Sequence, residues 1–318
     1  MIEANSLTKR YGAHAAVQDV SFSCAPGTVT GFLGPNGAGK STTLKMLCGL
    51  AHPTSGSSSL MGRPFTQIPN PGRHVGVLID ASAAHSGRRG RETLALSAQL
   101  LGVSDSRVDE MLELVGLDRS AARKRVGQYS LGMRQRLGIA HALLGDPQLL
   151  ILDEPANGLD PEGMRWMRGL LRDFASRGGT VLLSSHLLHE VEAIADRLVI
   201  ISDGRIAAEG PRDELVGDQA MTRVRSADDH ALRSALRSFA IEVSVADDGA
   251  LLAEASTEQV GDVALSAGVA LRELGSSRAG GLERLFFELT QAAVDEAAPS
   301  DHGASLTEDP STLQETVR

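Results

Sequence analysis

Apolar and polar positions alternate with the period of a strand through residues 1–30, interrupted at Tyr11-Gly12 and Pro26-Gly27, which predicts short strands joined by turns. Thr28-Val29-Thr30-Gly31-Phe32-Leu33 ends that stretch as a buried strand, and Thr42-Thr43-Leu44-Lys45-Met46-Leu47-Cys48 reads as the first turns of a helix. Residues 51–80 carry Pro53, Gly56, Gly62, Pro64, Pro69 and Pro71 and then an apolar strand, Val75–Ile79. Between 92 and 145 the spacing changes to i, i+3, i+4, predicting helices over Glu92–Leu101, Ser106–Val115, Ala121–Gln128 and Gly132–Leu144. The unbroken run Leu149-Leu150-Ile151-Leu152 fits a central parallel strand buried on both faces, and it ends at Asp153-Glu154. Helix Pro161–Arg177, strand Thr180–Ser184 and helix Leu187–Ala195 come next, and then two strands around Leu198–Ser202 and Arg205–Glu209, joined by the hairpin signal Asp203-Gly204.

The texture changes after Pro211. Helices over 211–217, 229–239, 257–267 and 280–293 interleave with strands near 221–226, 240–246, 250–256 and 269–274, which reads as a small separate α/β domain over 217–294. Residues 295–318 hold six acids against one arginine among Pro, Ser, Thr and Gly, the composition of a disordered acidic tail.

Gly34-Pro35-Asn36-Gly37-Ala38-Gly39-Lys40-Ser41-Thr42 is a complete G-x-x-x-x-G-K-[ST] phosphate loop, set between a strand and a helix as the motif requires. Glycines lacking a Cβ let the backbone turn tightly and aim several N–H groups inward, and a helix N-terminus adds partial positive charge. This names the ligand as a nucleoside triphosphate with Mg²⁺: Lys40 reaches the terminal phosphates and the Ser41 hydroxyl is a metal ligand. Only four of the 31 basic residues are lysines, so Lys40 falls where a compact ammonium suits the cradle in a chain that otherwise uses arginine.

Composition narrows the rest. Hydrophobic content of 42% supports a true core, while 3% aromatics and a net charge of −9 argue against a general nucleic-acid binder, which shows a basic face and stacking platforms. Cys24 and Cys48 lie in apolar segments without disulfide or metal spacing. No apolar run approaches the length of a membrane span and no signal peptide is expected ahead of Met1.

Asp153-Glu154 is the second chemical element. A carboxylate at a strand's C-terminal end opens toward the loops where open α/β sheets bind ligands. Asp153 can enter a Mg²⁺ shell, and Glu154 can polarise an attacking water as general base.

Taken together, residues 1–216 resemble the ATP-binding subunits of ABC transporters, with the motifs in that family's order. Tyr11 stands where the family places an aromatic on adenine, residues 34–42 match Walker A, and 149–154 match Walker B, with Glu154 at the catalytic position. Asn157-Gly158-Leu159-Asp160 matches the D-loop, and His186 in Ser184-Ser185-His186 matches the switch histidine. Two motifs depart from the usual form. The signature reads Tyr129-Ser130-Leu131-Gly132-Met133 instead of Leu-Ser-Gly-Gly-Gln, keeping Ser130 and Gly132, a hydroxyl and a Cβ-free N–H at a helix start. The usual Q-loop glutamine is replaced by Asp80, which can still ligand Mg²⁺ or its water but cannot donate as an amide does. These departures, and the segment ending Leu282-Glu283-Arg284-Leu285-Phe286-Phe287, resemble the bacterial antibiotic-export branch of the daunorubicin-resistance type.

The resemblance implies an α/β P-loop NTPase fold with a RecA-like core, an antiparallel β subdomain and a helical subdomain about 88–145. It implies ATP and Mg²⁺ as cofactors, with Ser41, Asp153 and Asp80 toward the metal and Asp160 beside the nucleotide. It also implies a head-to-tail dimer in which each P-loop faces the other copy's Ser130 and Gly132, a separate membrane permease docking on 88–145, and a place at the cytoplasmic face of the membrane. The expected work is export of a drug, antibiotic or lipid-like compound. The alternative is a soluble ABC ATPase acting on ribosomes or DNA, against which stand the single cassette, the lack of a long coiled-coil insertion and the acidic balance. A P-loop kinase or GTPase would leave the signature without a purpose, and the guanine motif Asn-Lys-x-Asp is missing.

Overall fold

The computed structural model describes residues 1–216, 221–246, 248–276 and 281–297. In chain order β1 is Ile2–Tyr11, β2 His14–Cys24, β3 Val29–Leu33, α1 Lys40–Leu47, β4 Ser55–Leu60 and β5 Val75–Leu78. Four helices come next, α2 Gly90–Leu101, α3 Asp105–Leu114, α4 Arg119–Arg123 and α5 Leu131–Leu143. The chain returns to the sheet with β6 Leu149–Leu152, α6 Pro161–Ser176, β7 Thr180–Ser185, α7 Leu188–Glu192, β8 Arg197–Ser202, β9 Arg205–Pro211 and α8 Arg212–Val216.

The central sheet has the order β5-β6-β7-β3-β8-β9, parallel except for β9, which pairs antiparallel with β8 through the Asp203-Gly204 turn. Every residue of β3, β6 and β7 is buried, because both faces are covered and the side-chain period of two divides each strand between two cores. In β6, Leu150 and Leu152 join the core shared with α2–α6, while Leu149 and Ile151 join the one under β1, β2 and α1. A second, antiparallel sheet, β2-β1-β4, roofs the phosphate-loop side. The RecA-like core with antiparallel β and helical subdomains is thus the observed architecture.

Two local expectations change. β4 arises inside the stretch read as a Pro/Gly connection, pairing Ile2 with Leu60 and Ala4 with Ser58 along the free edge of β1. The single helix expected over Ala121–Gln128 is cut short: Asp118 caps α4 early by accepting from the Ala121 N–H at 2.7 Å. The chain then goes extended, so that the Val126 and Gly127 N–H groups reach the Arg88 and Ser86 carbonyls, and a 3₁₀ turn closes at Val126–Gln128.

Beyond α8 come β10 Met221–Ser226, α9 Asp229–Ser238, β11 Val243–Val245, β12 Leu251–Glu254, α10 Thr257–Ser266, β13 Leu271–Ser276 and α11 Gly281–Ala297. The order β11-β12-β10-β13, all antiparallel, is the split β-α-β-β-α-β arrangement. It has its own core of Val224, Leu232, Leu236, Leu251, Val260 and Val263. α11 leaves that unit: Leu282, fully buried, belongs to the core of the larger domain, with Leu285, Phe286 and Leu289 packed against it. The acidic tail expected at 295–318 lies from residue 298 onward outside the described residues.

Candidate functional site

The phosphate loop bridges β3 and α1. Gly37 and Gly39 have φ of 86° and 104°, in the region that favours glycine. At Gly39 a Cβ would stand 2.5 Å from the Ala16 carbonyl oxygen, and at Gly34 2.3 Å from that of Ile201, so the loop is wedged between β2 and β8 where no side chain fits. The β8–β9 turn braces it from below, with the Gly204 N–H donating to the Ala38 carbonyl at 3.2 Å. Pro35, Asn36 and Ala38 shape the loop, with Asn36 exposed and Ala38 buried. α1 opens at Lys40 with no side-chain cap, so its first N–H groups are left for a ligand. Ser41 at the helix start is exposed, Thr42 half-buried.

The Lys40 side chain is buried and its ammonium donates to the Gly34 and Pro35 carbonyls at 2.6 and 3.1 Å. Burial pulls its pKa below the ordinary value, while the charges of Glu154 and Asp153 pull the other way. Those two carboxylates therefore sit within electrostatic reach of the phosphate-loop lysine, as the strand-end position of Asp153-Glu154 predicts.

Glu154 is the most constrained residue of the group. Its φ is 50°, left-handed for a residue with a Cβ. Its N–H donates to the Ser184 Oγ at 3.0 Å, and its carbonyl accepts from Gln135 Nε2 at 2.9 Å and from the Asn157 N–H at 3.1 Å. Its carboxylate meets His186 Nδ1 at 2.7 Å. Ser184, fully buried at the end of β7, also donates its hydroxyl proton to Asp153 Oδ1, so one side chain ties both acids to the neighbouring strand. Glu154 and His186 are thus brought together, with the His186 ring exposed toward solvent.

The signature segment begins α5. Ser130 is the N-cap, its Oγ accepting from the Met133 N–H at 3.2 Å, and it is exposed. The departures from the usual signature have structural roles. Tyr129 is buried, its hydroxyl donating to the Ala121 carbonyl at 2.8 Å, and Met133 packs against the helical core. The Leu131 side chain lies over Gly158 of the D-loop, and Gly132 lies beneath the Gly158 carbonyl. Asp160 caps α6 through the Gly163 N–H at 2.8 Å.

Two expected residues stand apart from this cluster. Tyr11 ends β1 on the antiparallel sheet, 54% exposed, with the Lys9 ammonium 5.0 Å from its ring centroid. Asp80 turns back on its own loop, where the Ser82 hydroxyl and N–H donate to it at 2.6 and 2.7 Å and hold its carboxyl below the usual range. Ser184 and Gln135 are the contributors that motif reading missed. The available signal for Gln135 was a polar residue on the same helical stripe as Ile139 and Ala142.

Among the described residues no three His, Cys, Asp or Glu side chains gather as a preformed metal cage. Also among the described residues, no helix is long and apolar enough to cross a membrane.

Comparison with known proteins extends the geometry. Residues 17–157 match the family model described as ABC transporter, and residues 220–283 match one described as a domain of unknown function. The bacitracin transport ATP-binding protein BcrA of Bacillus licheniformis is 43% identical over 218 residues, 68% of this chain and 71% of that protein. The Nod factor export ATP-binding protein I of Burkholderia orbicola is 39% identical over 258 residues, 78% of this chain and 84% of that protein. A solved ATP-binding subunit of an ABC transporter is 30% identical and superposes with a TM-score of 0.62, over 68% of this chain and 91% of its own.

Proposed function

Since the chain belongs to the family of ABC transporter ATP-binding proteins, we propose that it hydrolyses ATP to power export of a drug, antibiotic or lipid-like compound through a separate membrane permease. The observation that carries the catalytic part is the clamp on Glu154: a strained backbone, both peptide groups hydrogen-bonded, and a carboxylate 2.7 Å from His186, beside the lysine of a phosphate loop. The export part rests on the bacitracin and Nod factor relatives, which favour transport over an ATPase acting on ribosomes or DNA.

ATP binds with its phosphates along the N–H groups of Gly34–Thr42 and its terminal phosphates on Lys40, which exchanges the Gly34 and Pro35 carbonyls for phosphate oxygens. Tyr11 stacks on the adenine. Glu154 takes a proton from the attacking water, and His186 steadies the carboxylate and hydrogen-bonds the γ-phosphate. Ser41 and Asp153 hold Mg²⁺, which when bound neutralises charge developing on the phosphates. Both Ser82 hydrogen bonds fall on Asp80 Oδ1, which leaves Oδ2 as the oxygen that would serve Mg²⁺ or its water. Two copies close head-to-tail, each presenting Ser130, Gly132 and Asp160 to the other's nucleotide, and the permease docks on the helical region 88–145 at the cytoplasmic face of the membrane.

Glu154→Gln tests this reading. The variant keeps the shape of the residue and loses the base, so it is expected to bind ATP, to retain only a small residual turnover and to accumulate as an ATP-dependent dimer in size-exclusion chromatography. Hydrolysis at the wild-type rate would remove Glu154 from the role of base.

A further inference from the structure

Gln135 is 3% exposed on the second turn of α5, and its amide is aimed at a backbone carbonyl. Its Nε2 reaches the Glu154 carbonyl at 2.9 Å. That carbonyl belongs to a residue held at φ 50°, a conformation a residue with a Cβ adopts only when its surroundings impose it. On the other side of Glu154 the N–H is fixed by Ser184. Ahead of Gln135 on the same helix, the missing Cβ of Gly132 lets the Gly158 carbonyl approach, since a Cβ there would stand 2.7 Å from that oxygen. The start of α5 and the segment 154–158 are therefore in contact at two places a turn apart, and α5 is the helix capped by Ser130.

We propose that Gln135 is a positioning residue for hydrolysis, holding the Glu154 peptide so that its carboxylate faces the attacking water, and that through it α5 carries displacement of the signature segment to the base of the same chain. The inference rests on the reading of Glu154 as general base. In a head-to-tail pair the signature meets the partner's nucleotide, so closure of one site would set the base of the other through a single buried amide.

The test uses the full chain and three variants. Gln135→Met keeps volume and flexibility but has no donor. Its kcat for ATP is expected to fall about ten- to a hundredfold, the scale of a small misplacement of a catalytic group, with KM within about twofold. In a Glu154→Gln background the same change is expected to leave the residual rate within about twofold, because a residue acting through Glu154 has nothing left to position. Gln135→Glu gives a second readout that does not depend on Gln135→Met folding. A buried carboxyl has a raised pKa, donates when protonated and repels the carbonyl when ionised. The ratio of its kcat to that of the wild type is therefore expected to rise as pH falls from about 8 to about 6. A Gln135→Met kcat within twofold of wild type, equal losses in both backgrounds, or a pH-independent ratio for Gln135→Glu would each overturn the proposal. Equal turnover by wild type and Glu154→Gln would instead overturn the assignment of the base.

Discussion

Gly158→Ala combined with Leu131→Ala measures how tightly the signature and the D-loop fit within one chain. Gly158 has φ 75°, and a Cβ built there would lie 2.4 Å from Leu131 Cγ and 2.5 Å from its Cδ2. Gly158→Ala carries two costs. The left-handed backbone costs an L-residue about 1–2 kcal/mol. The new methyl also expels the Leu131 side chain, which is 45% exposed and so surrenders about half of a leucine's burial, about 1 kcal/mol. Leu131→Ala alone loses that same half-burial, about 1 kcal/mol. In the double variant the collisions with Cγ and Cδ2 have gone, while the backbone strain and a 2.9 Å contact with the retained Cβ of residue 131 remain, so its total lies between about 2–3 kcal/mol and the additive sum of about 3–4 kcal/mol, with a negative coupling energy no larger than about 1 kcal/mol in size. Urea unfolding monitored by the fluorescence of Trp166 reads this locally, because that single tryptophan stacks on Arg136 of α5 at 4.8 Å and lies on α6 just after the D-loop. Strictly additive shifts in midpoint at constant m would show that Leu131 does not fill the space above Gly158.

Ser184→Ala removes the donor to Asp153 and the acceptor of the Glu154 N–H at once; with both partners left wanting, stability is expected to fall by about 2–4 kcal/mol and turnover to fall with it, checked by urea midpoint and steady-state ATPase, and an unchanged midpoint would contradict the clamp. Cys24 and Cys48 are buried with pKa values pushed up to about 12 by desolvation, so both are expected to resist a disulfide reagent in the folded protein at neutral pH and to react fully in urea. For the same reason their contribution to stability is complete below the ordinary 9.0 and is lost as pH rises from there toward about 12; a midpoint that stays level over that range in a background without other alkaline transitions would contradict it. Leu282→Ala is expected to cost about 2–5 kcal/mol in the Trp166 transition, since Leu282 is wholly buried in the large domain's core; an unaffected transition would mean that α11 does not pack there.

Much of this was legible in the chain because the strongest signals are local. A P-loop carries its own strand, glycines and helix start, and the run Leu149–Leu152 ending in two acids needs no tertiary knowledge to be read as a buried strand. β4 was not legible: Ser55-Gly56-Ser57-Ser58-Ser59 has little strand propensity and forms because β1 offers an unpaired edge, with Ser59 Oγ donating to Glu3 at 2.8 Å. The break after α4 is likewise imposed from outside, by the backbone of residues 86–88. Within the site, Ser184 and Gln135 act on main-chain groups of a residue far away in sequence, and no spacing rule encodes such a contact. The altered signature could be seen but not interpreted, because what Leu131 exchanges for the usual glycine becomes clear only against Gly158.

The division of labour around Glu154 arises from these contacts. In the proposed function the nucleotide lies on β3, α1 and the loop between them, while the backbone of Glu154 takes its hydrogen bonds from other elements. The residue is fixed by β7 through Ser184, by α5 through Gln135 and by the segment after β7 through His186. Binding and chemistry thus draw on different side-chain contacts, while β3 and β7, paired from Val29–Val181 to Leu33–Ser185, hold the phosphate loop and the Ser184 clamp in one sheet. The His186 anchor is further constrained by its neighbouring helix: α7 begins two residues after His186, and its Val191 lies in the same core as Leu282 of α11. The split βαββαβ unit lies in the chain between α8 and α11, and α11 packs on the large domain. That unit is therefore tethered through α11 to a core that holds both Val191 of α7, next to His186, and Val29 and Leu33 of β3, which leads into the phosphate loop.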